Sequence, residues 1–196
     1  MFFCLFERSL RLLKNLELRG RRFGTTMRNV EIKARIVDKE DIKTRAKMLS
    51  KSDGIVIKQH DTFFKAANGR FKMRQFEVRL IHYERPDTEG PKLSDFVKTR
   101  ICKDEIQELI GVLKKSNGII GVVKKLRLLY IVDQTRVHVD HVYGLGDFME
   151  LEVVLNDEQS LEDGQKIADE LMTQLGVRKE DLISGAYLDM IKADDK

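Results

Sequence analysis

Apolar and polar positions alternate along residues 29–37. Val30, Ile32, Ala34 and Ile36 fall on one side, and Asn29, Glu31, Lys33 and Arg35 on the other. A period of two predicts a strand with one apolar face. The period then changes: Ile42, Ala46 and Leu49 share a stripe that predicts a helix over 39–51, ended by Ser52-Asp53-Gly54. Short strands are predicted over 55–59, 62–66, 71–74 and 77–85, with Asn68-Gly69 as a two-residue hairpin turn of the primed type. A loop over 86–91 leads to a strand over 93–100. A helix over 104–115 follows, with Asp104 near its N-terminus, where a carboxylate is favoured. Three longer strands, 120–131, 135–142 and 148–155, precede helices over 161–175 and 179–191. About eight strands joined mostly by tight turns outnumber four helices. That pattern predicts an α+β chain, a mostly antiparallel sheet or barrel with helices outside it.

The polar side of several strands is ionic. Lys72 and Arg74 oppose Phe71 and Met73; Lys125 and Arg127 share a side with Val123; Arg136, His138 and Asp140 face away from Val137 and Val139. Glu150 and Glu152 face away from Met149, Leu151 and Val153. A single such strand is an ordinary sheet with one wet side. The set differs, because Arg is heavily used and basic and acidic groups sit on separate strands. With Arg85 the basic members are Lys33, Arg35, Lys72, Arg74, Arg85, Lys125, Arg127 and Arg136; the acidic ones are Glu31, Asp140, Glu150 and Glu152. A surplus of about four positive charges suits a triphosphate, since Arg offers forked donors and Lys a point charge. Carboxylates repel phosphate, so they make sense if they hold a divalent cation that bridges to it. Helices over the aliphatic faces would leave the ionic faces to meet inside a barrel with a polar lumen.

Charge is unevenly spread. Residues 1–27 carry six basic and two acidic side chains, which leaves 30 of the 36 basic and 30 of the 32 acidic residues for the rest of the chain. The basicity belongs to the leader, and a neutral domain weighs against nucleic acid as partner. A basic amphipathic leader over 1–27, disordered or targeting, is expected ahead of one domain over 28–192 and a tail over 193–196. No apolar run reaches the ~18–20 residues needed to cross a bilayer. Cys4 and Cys102 form neither a metal motif nor a disulfide framework, which suits a reducing compartment. The expected location is cytoplasmic, or mitochondrial if residues 1–26 act as a presequence.

The ordered pieces carry a resemblance. They are Asn29-Val30-Glu31-Ile32-Lys33-Ala34-Arg35, Asp61-Thr62-Phe63-Phe64, Asn68-Gly69-Arg70-Phe71-Lys72-Met73-Arg74 and Tyr83-Glu84-Arg85-Pro86-Asp87. Lys125-Leu126-Arg127, Thr135-Arg136-Val137-His138-Val139-Asp140 and Gly144-Leu145-Gly146-Asp147-Phe148-Met149-Glu150-Leu151-Glu152 follow, then Ile183-Ser184-Gly185-Ala186-Tyr187-Leu188-Asp189. Together they resemble the CYTH family, the triphosphate tunnel metalloenzymes, and most closely its class IV adenylyl-cyclase-like branch. The resemblance implies an eight-stranded antiparallel closed barrel that uses Mg²⁺ or Mn²⁺ on triphosphate-bearing small molecules such as ATP, thiamine triphosphate or tripolyphosphate. It implies that Lys33, Lys72, Arg74, Arg85, Lys125, Arg127 and Arg136 grip phosphates, and that Glu31, Asp140, Glu150 and Glu152 hold metal or orient its water. Lys33, Glu150 and Glu152 are the expected catalytic residues. Tyr187 falls on the closing helix, with either a site role or a packing role.

One position departs from the family pattern Glu-x-Glu-x-Lys: Asn29 stands where the first Glu is expected. It offers a carbonyl oxygen but no charge. The sequence therefore supports a metal-dependent cyclase or triphosphatase, with a non-catalytic tunnel that holds polyphosphate or a nucleotide as the alternative. A second copy of the chain is a further candidate partner. His138 shares the ionic face; of the two readings, proton transfer or a hydrogen-bonded strand histidine, the second is the more ordinary one.

Overall fold

The computed structural model describes residues 27–194. The expected leader lies outside the described residues except for Met27, which opens the first strand. The expected tail begins within the last helix. Among the described residues eight strands form: β1 (Met27–Arg35), β2 (Ile55–Phe64), β3 (Arg70–Arg74), β4 (Arg79–Glu84), β5 (Lys92–Arg100), β6 (Ile119–Val132), β7 (Thr135–Val142) and β8 (Gly146–Val154). They close into a barrel in the order β1-β5-β4-β3-β2-β6-β7-β8, and β8 returns to β1. Every pairing is antiparallel. The four helices are α1 (Lys39–Ser50), α2 (Ile106–Ser116), α3 (Leu161–Leu175) and α4 (Tyr187–Asp194).

Strand β1 explains the design. Its apolar side chains Val30, Ile32 and Ala34 are buried, and so are Asn29, Glu31 and Lys33 between them. Alternation normally means one wet face, but here both faces are covered, one by helices and the other by the closed barrel. The hydrophobic core therefore lies outside the barrel. Val30, Ile32, Val137, Val139, Leu151 and Val153 meet Ile42 and Ala46 of α1 and Ala168, Leu171 and Leu175 of α3. Helix α3 starts at a capping box, Ser160 with Asp163, and ends at Gly176 in the left-handed conformation. Gly164 lets it approach: a Cβ there would lie 2.5 Å from Val30 Cγ2. Helix α1 is capped by Asp38, which accepts from the Asp41 amide.

Register carries the inward faces into one another. Glu31 is paired with Glu152 and Lys33 with Glu150 across β1 and β8; Arg136 with Glu152 and His138 with Glu150 across β7 and β8. Arg127 is paired with Asp140, and Asp61 with Arg74.

Three local expectations change. The strands expected over 55–59 and 62–66 are one ten-residue strand, β2, because Ile57, Gln59, Asp61 and Phe63 continue a single inward row. The Asn68-Gly69 connection is longer than a two-residue primed turn, which needs positive φ at the first central residue and, in type I′, at the second as well. β2 ends at Phe64, β3 begins at Arg70, and of the pair only Gly69 has positive φ. The closing helix is broken. A short 3₁₀ turn, Lys179–Asp181, is followed by an extended stretch in which the Ile183 amide donates to the Lys33 carbonyl, and only then by α4. Gly185, at φ 73°, makes the turn that aims Tyr187 and Leu188 into one end of the barrel.

Candidate functional site

The barrel encloses a cavity of about 670 Å³. Ten basic side chains line it against five acidic ones, Glu31, Asp61, Glu77, Glu150 and Glu152. Asp140, close behind the wall, lowers the surplus to four. Of the residues expected from the sequence, Glu31, Lys33, Lys72, Arg74, Arg85, Lys125, Arg127, Arg136, Glu150 and Glu152 all reach this one cavity.

Two networks organise the charges. In the first, Glu150 accepts from Lys33 Nζ at 3.0 Å and from Arg127 Nη2 at 2.5 Å. Arg136 Nη1 donates to Glu152 Oε2 at 2.9 Å, and Arg85 Nη1 to Glu31 Oε2 at 2.7 Å. Burial would raise the Glu150 carboxyl, but Lys33, Arg127 and Lys125 hold it well below the usual carboxylate range. Glu31 is raised instead, by burial first and then by the charge of Glu150, with Glu152 adding to it. Three carboxylates crowd one side of the lumen, the condition a cation relieves.

The second network centres on Asp61. Arg74 donates to it from Nε and Nη2, each at 2.8 Å, and Lys72 Nζ lies 2.8 Å away. Gln59 and Arg74 also hold Glu77, at 2.7 and 3.5 Å. These contacts stretch Lys72 and Arg74 across the lumen opposite the first network.

Two expected residues stand elsewhere. Asp140, expected among the metal ligands, is fully buried and does not line the cavity. Lys125 Nζ binds its Oδ2 at 2.8 Å, Arg127 binds both oxygens at 2.7 Å, and the Tyr187 hydroxyl donates at 3.2 Å. Its oxygens are committed to positioning cations. Arg35, expected among the phosphate ligands, is exposed at the end of β1, its guanidinium 5.1 Å from the ring centroid of the buried Phe148. Period two gave its face correctly, but the strand leaves the lumen before reaching it.

Three residues gain roles. Asp61, in the segment Asp61-Thr62-Phe63-Phe64, has no role assigned by the sequence alone and here anchors Arg74 and Lys72. Tyr187 lies under Lys33 and Lys125, whose Nζ atoms sit 4.3 and 5.0 Å from its ring centroid. His138 is 3% exposed, and its Nδ1 finds no hydrogen-bond partner among the described residues.

The donor set fits a divalent cation. His138, Glu150 and Glu152 each bring one ligand atom within 4.8 Å of the others. Asn29 Oδ1, also buried and lacking a partner, opens onto the same cavity. Asn29 Oδ1 and His138 Nδ1, unpaired among the described residues, thus add two donor atoms to the carboxylates on this side of the lumen.

A closed eight-stranded barrel with an ionic lumen is the architecture of triphosphate tunnel proteins, and a match to the CYTH domain spans residues 27–187. The chain belongs to the CYTH domain family. A Methanocaldococcus jannaschii protein named as a candidate adenylate cyclase is 27% identical over 180 residues, covering 84% of this chain and 98% of that one. A protein from Pyrococcus horikoshii shares the fold with a TM-score of 0.66 at 22% identity, covering 83% of this chain and 99% of its own. So does a Hippeastrum protein described as a candidate adenylyl cyclase with dominant triphosphatase activity. Its TM-score is 0.58 at 16% identity, covering 85% of this chain and 96% of that one. No helix among the described residues is long and apolar enough to cross a membrane.

Proposed function

We propose that the protein is a divalent-metal-dependent enzyme acting on nucleotide or other organic triphosphates, as an adenylyl-cyclase-like lyase or a triphosphatase. The observation that carries this reading is the surplus of basic side chains around one cavity of about 670 Å³ inside the barrel. Cations packed together in a lumen repel one another unless a polyanion joins them.

Roles follow from position. Lys33, Lys72, Arg74, Lys125, Arg127 and Arg136 approach the lumen from four strands and can engage phosphate oxygens from several sides. Arg85 is partly spent, because its Nη1 holds Glu31 and its Nη2 donates to the Gly185 carbonyl at 2.7 Å. Asp61 and Asp140 position the donors. Glu150 and Glu152 would hold the cation, joined by His138 and with Glu31 beside them. A bound divalent cation supplies charge neutralisation on the phosphate oxygens during bond breaking. The arginines and lysines stabilise the same charge electrostatically from fixed positions.

Hydrolysis and cyclisation need the same grip and differ in the attacking oxygen, water in one case and the ribose 3′-hydroxyl in the other. The test incubates the protein with ATP, thiamine triphosphate and tripolyphosphate plus Mg²⁺ or Mn²⁺ and resolves the products by chromatography. Cyclic AMP with pyrophosphate identifies a cyclase; a diphosphate product with phosphate identifies a triphosphatase. Thermal stabilisation by tripolyphosphate without any product supports the non-catalytic tunnel that Asn29 left open.

A further inference from the structure

Two acceptors are left open by the ion-pair network, and they face each other. Each oxygen of Glu150 accepts a single bond, from Lys33 or Arg127, and keeps a second lone pair; Oε2 of Glu152 accepts from Arg136. Glu152 Oε1 has only Arg127 Nη1 at 3.9 Å and His138 Nδ1 at 3.7 Å. The same Nδ1 lies 3.8 Å from Glu150 Oε2 and has no hydrogen-bond partner.

These distances exclude an ordinary ion pair. An imidazolium donating to a carboxylate closes to about 2.7–2.9 Å. His138, Glu150 and Glu152 each bring one ligand atom within 4.8 Å of the others. Three nearby acceptors, an imidazole nitrogen and two carboxylates, are stable together when a cation sits among them.

We propose that His138 Nδ1 is a metal ligand together with Glu150 and Glu152, and that this mixed nitrogen and oxygen set selects Mn²⁺ or another first-row divalent ion over Mg²⁺. Magnesium prefers oxygen ligands and retains water, whereas the first-row divalent ions, Mn²⁺ the weakest-binding among them, accept an imidazole nitrogen beside carboxylates. The inference deepens the tunnel reading above and rests on it. It assigns the imidazole a ligand role and the site a cation preference that carboxylates alone would not give.

Nitrogen coordination is directly readable. Protein containing ¹⁴N- or ¹⁵N-histidine is loaded with Mn²⁺ and tripolyphosphate and examined by pulsed EPR. A hyperfine coupling to a directly bound nitrogen, changed by the isotope and lost in His138→Ala, is expected. By calorimetry, His138→Asp should weaken Mn²⁺ binding at least about tenfold while retaining Mg²⁺. Bound Mn²⁺ with no nitrogen coupling overturns the inference and leaves the triphosphate reading standing. Failure to bind Mn²⁺ at all, even with tripolyphosphate, overturns both. If His138→Ala does not fold, the isotope comparison on the unaltered chain still decides.

Discussion

Asp61 holds Arg74 through a two-pronged bond, Nε to Oδ1 and Nη2 to Oδ2, each at 2.8 Å. Lys72 joins the same carboxylate at 2.8 Å. One acid therefore fixes two of the cations that face the lumen from β3, and its removal should do more than delete a charge. Asp61→Asn leaves Lys72 and Arg74 buried and poorly compensated, and should lower stability by about 3–5 kcal/mol. Burial would raise the Asp61 carboxyl, but Arg74 and Lys72 hold it far below the usual range. A depressed carboxylate contributes stability above its unfolded value and loses it as pH falls from about 4. Urea unfolding at several pH values should show the gap between the two proteins closing as the solution becomes acidic. A constant gap would contradict the assignment.

Lys125 gives a second pH signature, this time in binding. Burial and then Arg127 bring it down to about 8, with Asp140 opposing them. The group is charged below that value and neutral above it. Binding of a polyanion favours the charged form, so tripolyphosphate affinity should fall as pH rises past about 8. Calorimetric titration at pH 7 and 9 measures the drop. Lys125→Gln should bind more weakly at pH 7 and should show less of that drop.

Gly121 lies under Leu188, where a Cβ would come 2.4 Å from Leu188 Cδ1, and its φ is 157°. Leu188 is 2% exposed, in the apolar cluster with Phe63, Val123 and Phe148 that closes this end of the barrel. Gly121→Val should lift α4 and lower stability by about 1–3 kcal/mol. Hydrogen exchange should quicken in residues 187–194 and not in α3. Unchanged exchange would mean that the helix is not seated on that glycine.

The carboxylates and the lysine of the first network should separate chemistry from binding. Glu152→Ala should abolish turnover while circular dichroism stays that of the folded chain, and Lys33→Ala should damage triphosphate handling. Arg35→Ala, exposed and outside the lumen, should leave kinetics unchanged. Full activity in Glu152→Ala would remove that carboxylate from the reaction.

Much of this was legible along the chain, for reasons that differ by element. β7 and α3 match their predicted bounds, because clean alternation marks the first and the Ser160 and Gly176 caps mark the second. The ionic faces were readable because period two assigns side chains to faces. Depth was not readable, which is how Arg35 was grouped with Lys33. β2 looked broken because His60-Asp61 interrupts its apolar content without interrupting its alternation. Asp61 and Asp140 owe their roles to the registers that set them beside Arg74 and Arg127, and register is non-local. The open nitrogen of His138 is likewise a property of three adjacent strands and of no local motif.

The central claim is that the lumen encloses a triphosphate, and a crystal structure grown with tripolyphosphate tests it most directly. The account predicts three consecutive phosphate groups inside the barrel, bonded by Lys72, Arg74, Lys125 and Arg127. Tripolyphosphate bound only on the outer surface, with those four side chains still joined to Asp61, Glu77, Asp140 and Glu150 alone, would contradict it.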